Sequence, residues 1–190
     1  PDLILISGDL IDSNLKPVRE QRMEQELNQL QAPLGVFMIP GNHEYISGIG
    51  KSRAFIRQQT SIQWLQDSVV TLPNGIQLIG RDDRHNPRRK SIAQLTDTLP
   101  AHAPSILLDH QPYHLEKAEQ AKIDLQFSGH THDGQIWPLN LITDNLFEVG
   151  YGYKQKGNTH IYVSSGLSLW GPPFRIGTRS EMVIFNINFQ

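Results

Sequence analysis

Leu3-Ile4-Leu5-Ile6-Ser7-Gly8-Asp9-Leu10-Ile11-Asp12 and Val36-Phe37-Met38-Ile39-Pro40-Gly41-Asn42-His43-Glu44 decide how this chain is read. Each is a short apolar run that gives way to glycine and then to residues able to ligate a metal. Ile106-Leu107-Leu108 runs likewise into Asp109-His110, and Leu125-Gln126-Phe127 into Ser128-Gly129-His130-Thr131-His132. In open α/β sheets, sites are built in the crevice beyond the carboxyl ends of the strands, so four such loops can converge on one place. A glycine just ahead of the polar residue lets the backbone turn sharply and approach its neighbours closely.

Outward from these four runs, residues 77–79, 161–163 and 182–187 are apolar runs of strand length. Several runs are apolar on both parities, which predicts strands covered on both faces. Residues 18–30 read as a helix, with Met23, Leu27 and Leu30 on one face, Pro17 opening it and Pro33 closing it. Residues 51–65, 91–99 and 113–122 read as helices of the same kind. From about residue 140 the sequence turns to Gly, Asn and aromatics and reads as loops and antiparallel strands. The expected fold is α/β, with two packed mixed β-sheets flanked by helices.

Hydrophobic residues at 38% against charged residues at 19% give the balance of a folded protein, and 190 residues make one domain, 1–190, with no internal boundary. A net charge of −2 lacks the basic excess that marks nucleic-acid binders, so no nucleic-acid partner is expected. The absence of cysteine excludes disulfide frameworks, zinc–thiolate sites and cysteine nucleophiles. Any metal must be held by His, Asp, Asn or Glu. No apolar run reaches the roughly 20 residues that cross a bilayer, so the chain as given reads as soluble. It starts at Pro1-Asp2 and enters a strand at once, from which a missing N-terminal segment is expected.

The residue types at the four strand ends fit a pair of divalent cations. A carboxylate such as Asp9 can bridge two metals, while imidazoles and one neutral amide oxygen complete shells of mixed nitrogen and oxygen. Two cations about 3.5–4 Å apart can hold a phosphoryl group, generate a hydroxide nucleophile and stabilise an in-line displacement.

The ordered set Gly8-Asp9 with Asp12, Gly41-Asn42-His43-Glu44, His110 and Gly129-His130-Thr131-His132 resembles the calcineurin-like metallophosphoesterase family. Residues 80–83, Gly134-Gln135, and the stretch 162–175 with Gly166, Trp170, Gly171, Pro172 and Pro173 resemble the branch that often carries an N-terminal membrane segment. The resemblance covers nearly the whole chain and implies a four-layer α/β/β/α sandwich. It implies that Asp9 bridges both metals, that Asn42, His110 and His130 complete the second metal site, and that His132 belongs to the first. It makes His43 a non-ligand that stabilises the phosphoryl oxygens or protonates the leaving group, with Glu44 placed to orient it.

The implied activity is hydrolysis of a phosphate mono- or diester by metal-bound hydroxide, with two divalent ions, Mn, Fe or Zn, as cofactors, since Mg prefers all-oxygen shells. The implied partner is a small phosphorylated substrate, with nucleotide and lipid-headgroup esters both open, and a membrane only through a missing N-terminal segment. Two departures from the family pattern matter. Its first motif, an Asp and a His one residue apart on a preceding strand, has no counterpart, which leaves the first site Asp9 and His132 and makes a single bound metal an expected state. Asp133 stands where this branch usually has Gly, adding a carboxylate beside the site.

The other classes weighed are a non-catalytic binding module that keeps the fold and a residual metal, and a metallo-β-lactamase-like hydrolase. The latter is disfavoured because the sequence after His130-Thr131-His132-Asp133 lacks the expected next Asp-His pair. His85, His102, His114 and His160 lack ligand-like spacing and are read as surface or hydrogen-bonded histidines. The basic run Arg81, Arg84, Arg88, Arg89 and Lys90 is read as a solvated face that can meet an anionic substrate. Trp137 and Trp170 read either as cleft walls or as ordinary packing, and Arg175 as a residue able to reach a phosphate.

Overall fold

The apolar runs build two sheets. The computed structural model describes residues 1–100 and 103–188, so His102 lies outside the described residues. Strands β1 (Ile4–Ile6), β2 (Val36–Met38) and β3 (Gln63–Trp64) form a parallel sheet in that order. Strands β4 (Ser68–Thr71), β5 (Gln77–Gly80), β6 (Ser105–Leu108), β7 (Leu125–Ser128), β8 (Gly152–Lys156) and β9 (Thr159–Val163) form the second sheet, in the order β4-β5-β6-β7-β9-β8. Its centre is parallel, and β4 and β8 close the edges antiparallel.

The two-sided apolar runs have a direct structural cause. Leu5 and Phe37 of the first sheet face Leu78, Ile106, Leu108, Leu125 and Phe127 of the second across one core. On the far side, Ile4, Ile6, Val36 and Met38 meet helices α1 (Leu15–Glu20), α2 (Met23–Leu27) and α4 (Ile49–Gln59) through Leu15, Val18, Leu27, Phe55 and Ile56. The opposite parity of the second sheet, Ile79 and Leu107, packs on α5 (Ile92–Thr96) and α6 (Glu116–Gln120). Helices, sheet, sheet and helices therefore stack as the four expected layers. Phe37, with 1% exposure, sits between the sheets, where truncation to Ala costs on the order of 3–5 kcal/mol.

Several expected elements change shape. The single helix over 18–30 is two helices, broken where Arg22 takes a left-handed φ of 52°. Its start lies earlier than Pro17, because the Asn14 side chain caps the helix by accepting from the Lys16 N–H at 2.9 Å. The helix over 51–65 ends at Gln59, and Gln63–Trp64 joins the sheet as β3. The region after 140 holds an additional helix, α7 (Asn140–Leu146), before the antiparallel β8–β9 pair.

Residues 182–187 form no strand among the described residues. Of this apolar run Phe185 packs on Phe127 and Tyr162, with centroids 4.7 and 5.1 Å away, but the backbone finds no ladder partner among the described residues. What holds the segment is Glu181, which accepts from the hydroxyls of Tyr151 and Tyr162 and from the Ser165 N–H.

Candidate metal centre

Sheet packing brings the carboxyl ends of β1 and β2 against those of β6 and β7. The loops interlock so closely that a Cβ on Gly8, which has φ 90°, would lie 2.7 Å from both the Gly41 N and the His110 Nδ1. A Cβ on Gly41 would lie 2.7 Å from the Asp9 N. These two glycines are required by close approach.

Into this junction project Asp9, Asn42, His110 and His130. Asp9 Oδ2 lies 2.9 Å from His110 Nε2, and Asn42 Oδ1 lies 3.0 Å from that same nitrogen and 2.7 Å from His130 Nδ1. Ligand atoms of Asp9, His110 and His130 all fall within 4.8 Å of one another. The Ser7 carbonyl sits 2.6 Å from His110 Nδ1, so that nitrogen donates and Nε2 faces the cluster. His132 stands outside this group of three, and its buried Nδ1 has no hydrogen-bond partner.

The electrostatics follow from a carboxylate and imidazoles crowded together in a largely buried junction. Burial pushes the Asp9 carboxyl up, but the hydrogen bond and charge of His110, with the His43 N–H, hold it down at about 2. Burial pushes His110 down, yet Asp9 overrides it and raises the imidazole to about 9. Burial and the neighbouring His110 charge lower His130 to about 4, and burial and then Arg175 lower His132. Asp9, His130, His132 and Asp133 all adopt left-handed φ, between 51° and 72°. Such backbone costs on the order of 1–3 kcal/mol per residue and persists only where the surroundings enforce it.

His43 and Glu44 fall on the short helix α3 (Asn42–Ile46). Glu44 does not orient His43, contrary to expectation. It is fully buried, and its carboxylate accepts from the backbone N–H of Asp9 (2.9 Å), Ile11 (2.9 Å) and Gly41 (2.7 Å), tying the β1 and β2 loops together. The partner of His43 is Asp12, whose Oδ1 lies 2.8 Å from His43 Nδ1. Adjacent helix residues point about 100° apart, so sequence neighbours make poor partners on a helix.

Around the centre, the β5 loop forms a saturated polar scaffold. Buried Asp109, just before His110, receives Arg81 at 2.8 Å and Arg89 at 2.9 Å. Asp82 accepts from Tyr45, Gln66 and Asn86, and Asp83 from Gln111 and His85. The basic run is thus no uniform solvated face, for two of its arginines are spent on a carboxylate that steadies the metal-side loop. Arg175 is spent as well, donating to the carbonyls of His132 (2.9 Å), Ser165 (2.7 Å) and Ser168 (2.9 Å), so it fixes the His132 loop rather than reaching outward. Asp133 stays out of the Asp9 cluster; burial and Asp144 raise its pKa. Trp137 and Trp170 are 61% and 54% exposed, and His114 and His160 make ordinary contacts with Glu116 and Tyr153. His85, set aside by spacing, sits beside α3 on the Tyr45 ring, and only the fold reveals that position.

Loops from two sheets bring a carboxylate, an amide oxygen and imidazoles that could hold a metal ion to one point of an α/β sandwich. The sequence profile described as calcineurin-like phosphoesterase matches residues 1–134, and the chain belongs to that family. A Helicobacter pylori protein named as an uncharacterized metallophosphoesterase is 37% identical over 98% of this chain and 51% of its own length. A Bos taurus protein named as a transmembrane protein with a metallophosphoesterase domain is 32% identical over 96% of this chain and 45% of its own. The chain spans about half the length of these curated relatives. Among solved structures, a 5'-nucleotidase precursor from Thermus thermophilus shares the fold, with a TM-score of 0.55 at 15% identity over 86% of this chain and 39% of that one. No helix among the described residues is long and apolar enough to cross a membrane.

Proposed function

We propose that this chain is the catalytic part of a metal-dependent phosphoesterase that hydrolyses phosphate mono- or diesters at a site for two divalent ions, with Mn, Fe or Zn the best matched to its ligands. The observation that carries the reading is the Asn42 oxygen set 2.7–3.0 Å from two imidazole nitrogens and beside Asp9. A cation would take the place of the imidazole protons at this point, and the ligand set of carboxylate, amide and imidazole suits a borderline divalent metal.

Asp9, Asn42, His110 and His130 would hold one ion. Asp9 and His132 would hold the other, and the orphaned His132 Nδ1 fits that role. When bound, such ions supply Lewis acidity toward phosphoryl oxygens and lower the pKa of water. The chain's own groups do the rest. Ser7 fixes the His110 tautomer, and Glu44 clamps the two loops that carry Asp9 and Asn42. Asp12 holds His43 through Nδ1, which leaves Nε2 to deliver a proton to the departing oxygen.

The substrate class is a small phosphorylated molecule, nucleotide and lipid-headgroup esters included. Membrane association of the whole protein is supported by relatives named as transmembrane proteins from Bos taurus and Danio rerio. The test is turnover of p-nitrophenyl phosphate by the full-length protein with added Mn or Zn. His43→Ala is expected to lower kcat by about 10²–10⁴-fold with metal content unchanged; undiminished turnover removes His43 from the chemistry.

A further inference from the structure

The β5 loop, residues 81–90, has an inner part, where Arg81 and Arg89 meet a buried carboxylate, and an outer, exposed part. Arg81 and Arg89 share Asp109, whereas the exposed Arg88 and Lys90 form no ion pair among the described residues, the Lys90 ammonium reaching only the Asp67 carbonyl at 3.3 Å. The outer pair, Arg84 and His85, is exposed, and neither location is random. The Arg84 guanidinium carbon lies 3.9 Å above the Tyr113 ring and makes no hydrogen bond or ion pair among the described residues. Tyr113 packs on Phe147 at 4.7 Å, and Phe147 meets the His130 ring edge-on at 6.1 Å. Two aromatic rings therefore link Arg84, contact by contact, to the His130 ring.

His85 is tied to α3, the helix that carries His43, through Tyr45. Its Nδ1 lies 2.9 Å from Oδ1 of Asp83, which is wholly buried, and its backbone N–H donates to that same oxygen. Its ring stacks on Tyr45 at 5.8 Å, two residues beyond His43 on α3, and the Tyr45 hydroxyl is fixed by Asp82. Its Nε2 has no partner among the described residues. A histidine that merely faces water has no need of a buried carboxylate and a stacked, anchored tyrosine to aim it. An arginine on an aromatic face likewise keeps its whole donor fork available.

Resting on the phosphoesterase reading, we infer that Arg84 and His85 form an anion subsite for a second phosphate of the substrate, so that the site takes phosphoesters bearing another phosphate group beyond the scissile one. Arg84 receives that phosphate through two guanidinium N–H donors, and His85 adds its Nε2–H when the ring is protonated. The subsite sets which phosphoesters bind and takes no part in bond breaking.

The test is calorimetric binding of inorganic phosphate, pyrophosphate and tripolyphosphate to the full-length protein at fixed free Mn concentration. The wild type is expected to bind a polyphosphate at least about tenfold more tightly than phosphate. In Arg84→Gln that ratio falls about tenfold, in Arg84→Lys it is partly restored, and in His85→Asn it falls by about threefold. A wild type without the preference, or a ratio that Arg84→Gln leaves unchanged, overturns the subsite. Hydrolysis of p-nitrophenyl phosphate, followed in parallel, separates the two readings. An Arg84-dependent preference without any hydrolysis sinks the phosphoesterase reading alone, and hydrolysis with an Arg84-independent ratio sinks the subsite alone.

Discussion

Two polar regions lie side by side at the carboxyl ends of the strands, and they are built on opposite rules. In the β5 loop and the Asp109 turn, every buried carboxylate is matched by donors: Asp109 by two arginines, Asp82 by a hydroxyl and two amides, Asp83 by Gln111 and His85. In the Asp9–Asn42–His110–His130 cluster the Asp9 Oδ2 and Asn42 Oδ1 oxygens meet imidazole nitrogens, each of which can carry either a proton or a metal ion. Both are charged and both are largely buried, so neither burial nor composition tells scaffold from site. The kind of donor does, because an imidazole proton can be exchanged for a metal ion whereas an arginine proton is not given up.

The sharpest way to break this comparison is to remove one group from each region. Asp109→Ala leaves two arginines facing a buried gap and is expected to cost on the order of 3–5 kcal/mol in denaturant unfolding of the metal-free protein. His130→Ala, which removes one imidazole donor to Asn42, is expected to lower the same quantity by no more than about 1.5 kcal/mol. Equal losses would erase the distinction between scaffold and site. Glu44→Gln lies between them. The amide keeps one acceptor but turns an NH₂ toward backbone N–H groups, for a loss of about 1–3 kcal/mol.

The smallest effect is in pH. His130, lowered to about 4, favours the neutral form, so its contribution is present above about 6.5 and is lost as pH falls toward 4. His110, raised to about 9, favours the cation, so its contribution is present below about 6.5 and is lost as pH rises through 9. Melting of the chelated protein should therefore peak near neutrality. Saturating Mn should flatten the alkaline arm, since metal replaces the His110 proton. An alkaline decline that is as steep with metal as without it would count against His110 as a ligand.

The site was legible in sequence where its geometry is local. Gly8-Asp9, Gly41-Asn42, Asp109-His110 and Gly129-His130 each follow an apolar strand, and two-sided burial made those strands plain. Edge elements were not legible. Strand β8, Gly152–Lys156, carries Tyr, Lys and Gln instead of an apolar run, and α7 exposes Leu141, Ile142 and Leu146, so neither shows the periodicity of a buried face. Residues 182–187 show the converse: an apolar run of strand length is visible, but whether a ladder partner exists is a property of the whole fold. Partner choice failed for the same reason. Glu44 is one residue from His43 yet binds the β1 loop, while Asp12, 79% exposed and far along the chain, holds the histidine. Arg175 reads as a phosphate ligand until its carbonyl partners are seen.

The most direct measurement is the metal content of the full-length protein, by elemental analysis after loading with Mn or Zn and exhaustive dialysis, in wild type and in Asp9→Asn. The account predicts stoichiometric divalent metal in the wild type and its loss in the variant, whose fold is retained. A wild type that retains no metal, or a variant that retains it undiminished, would contradict the reading of the Asp9 cluster as a metal centre.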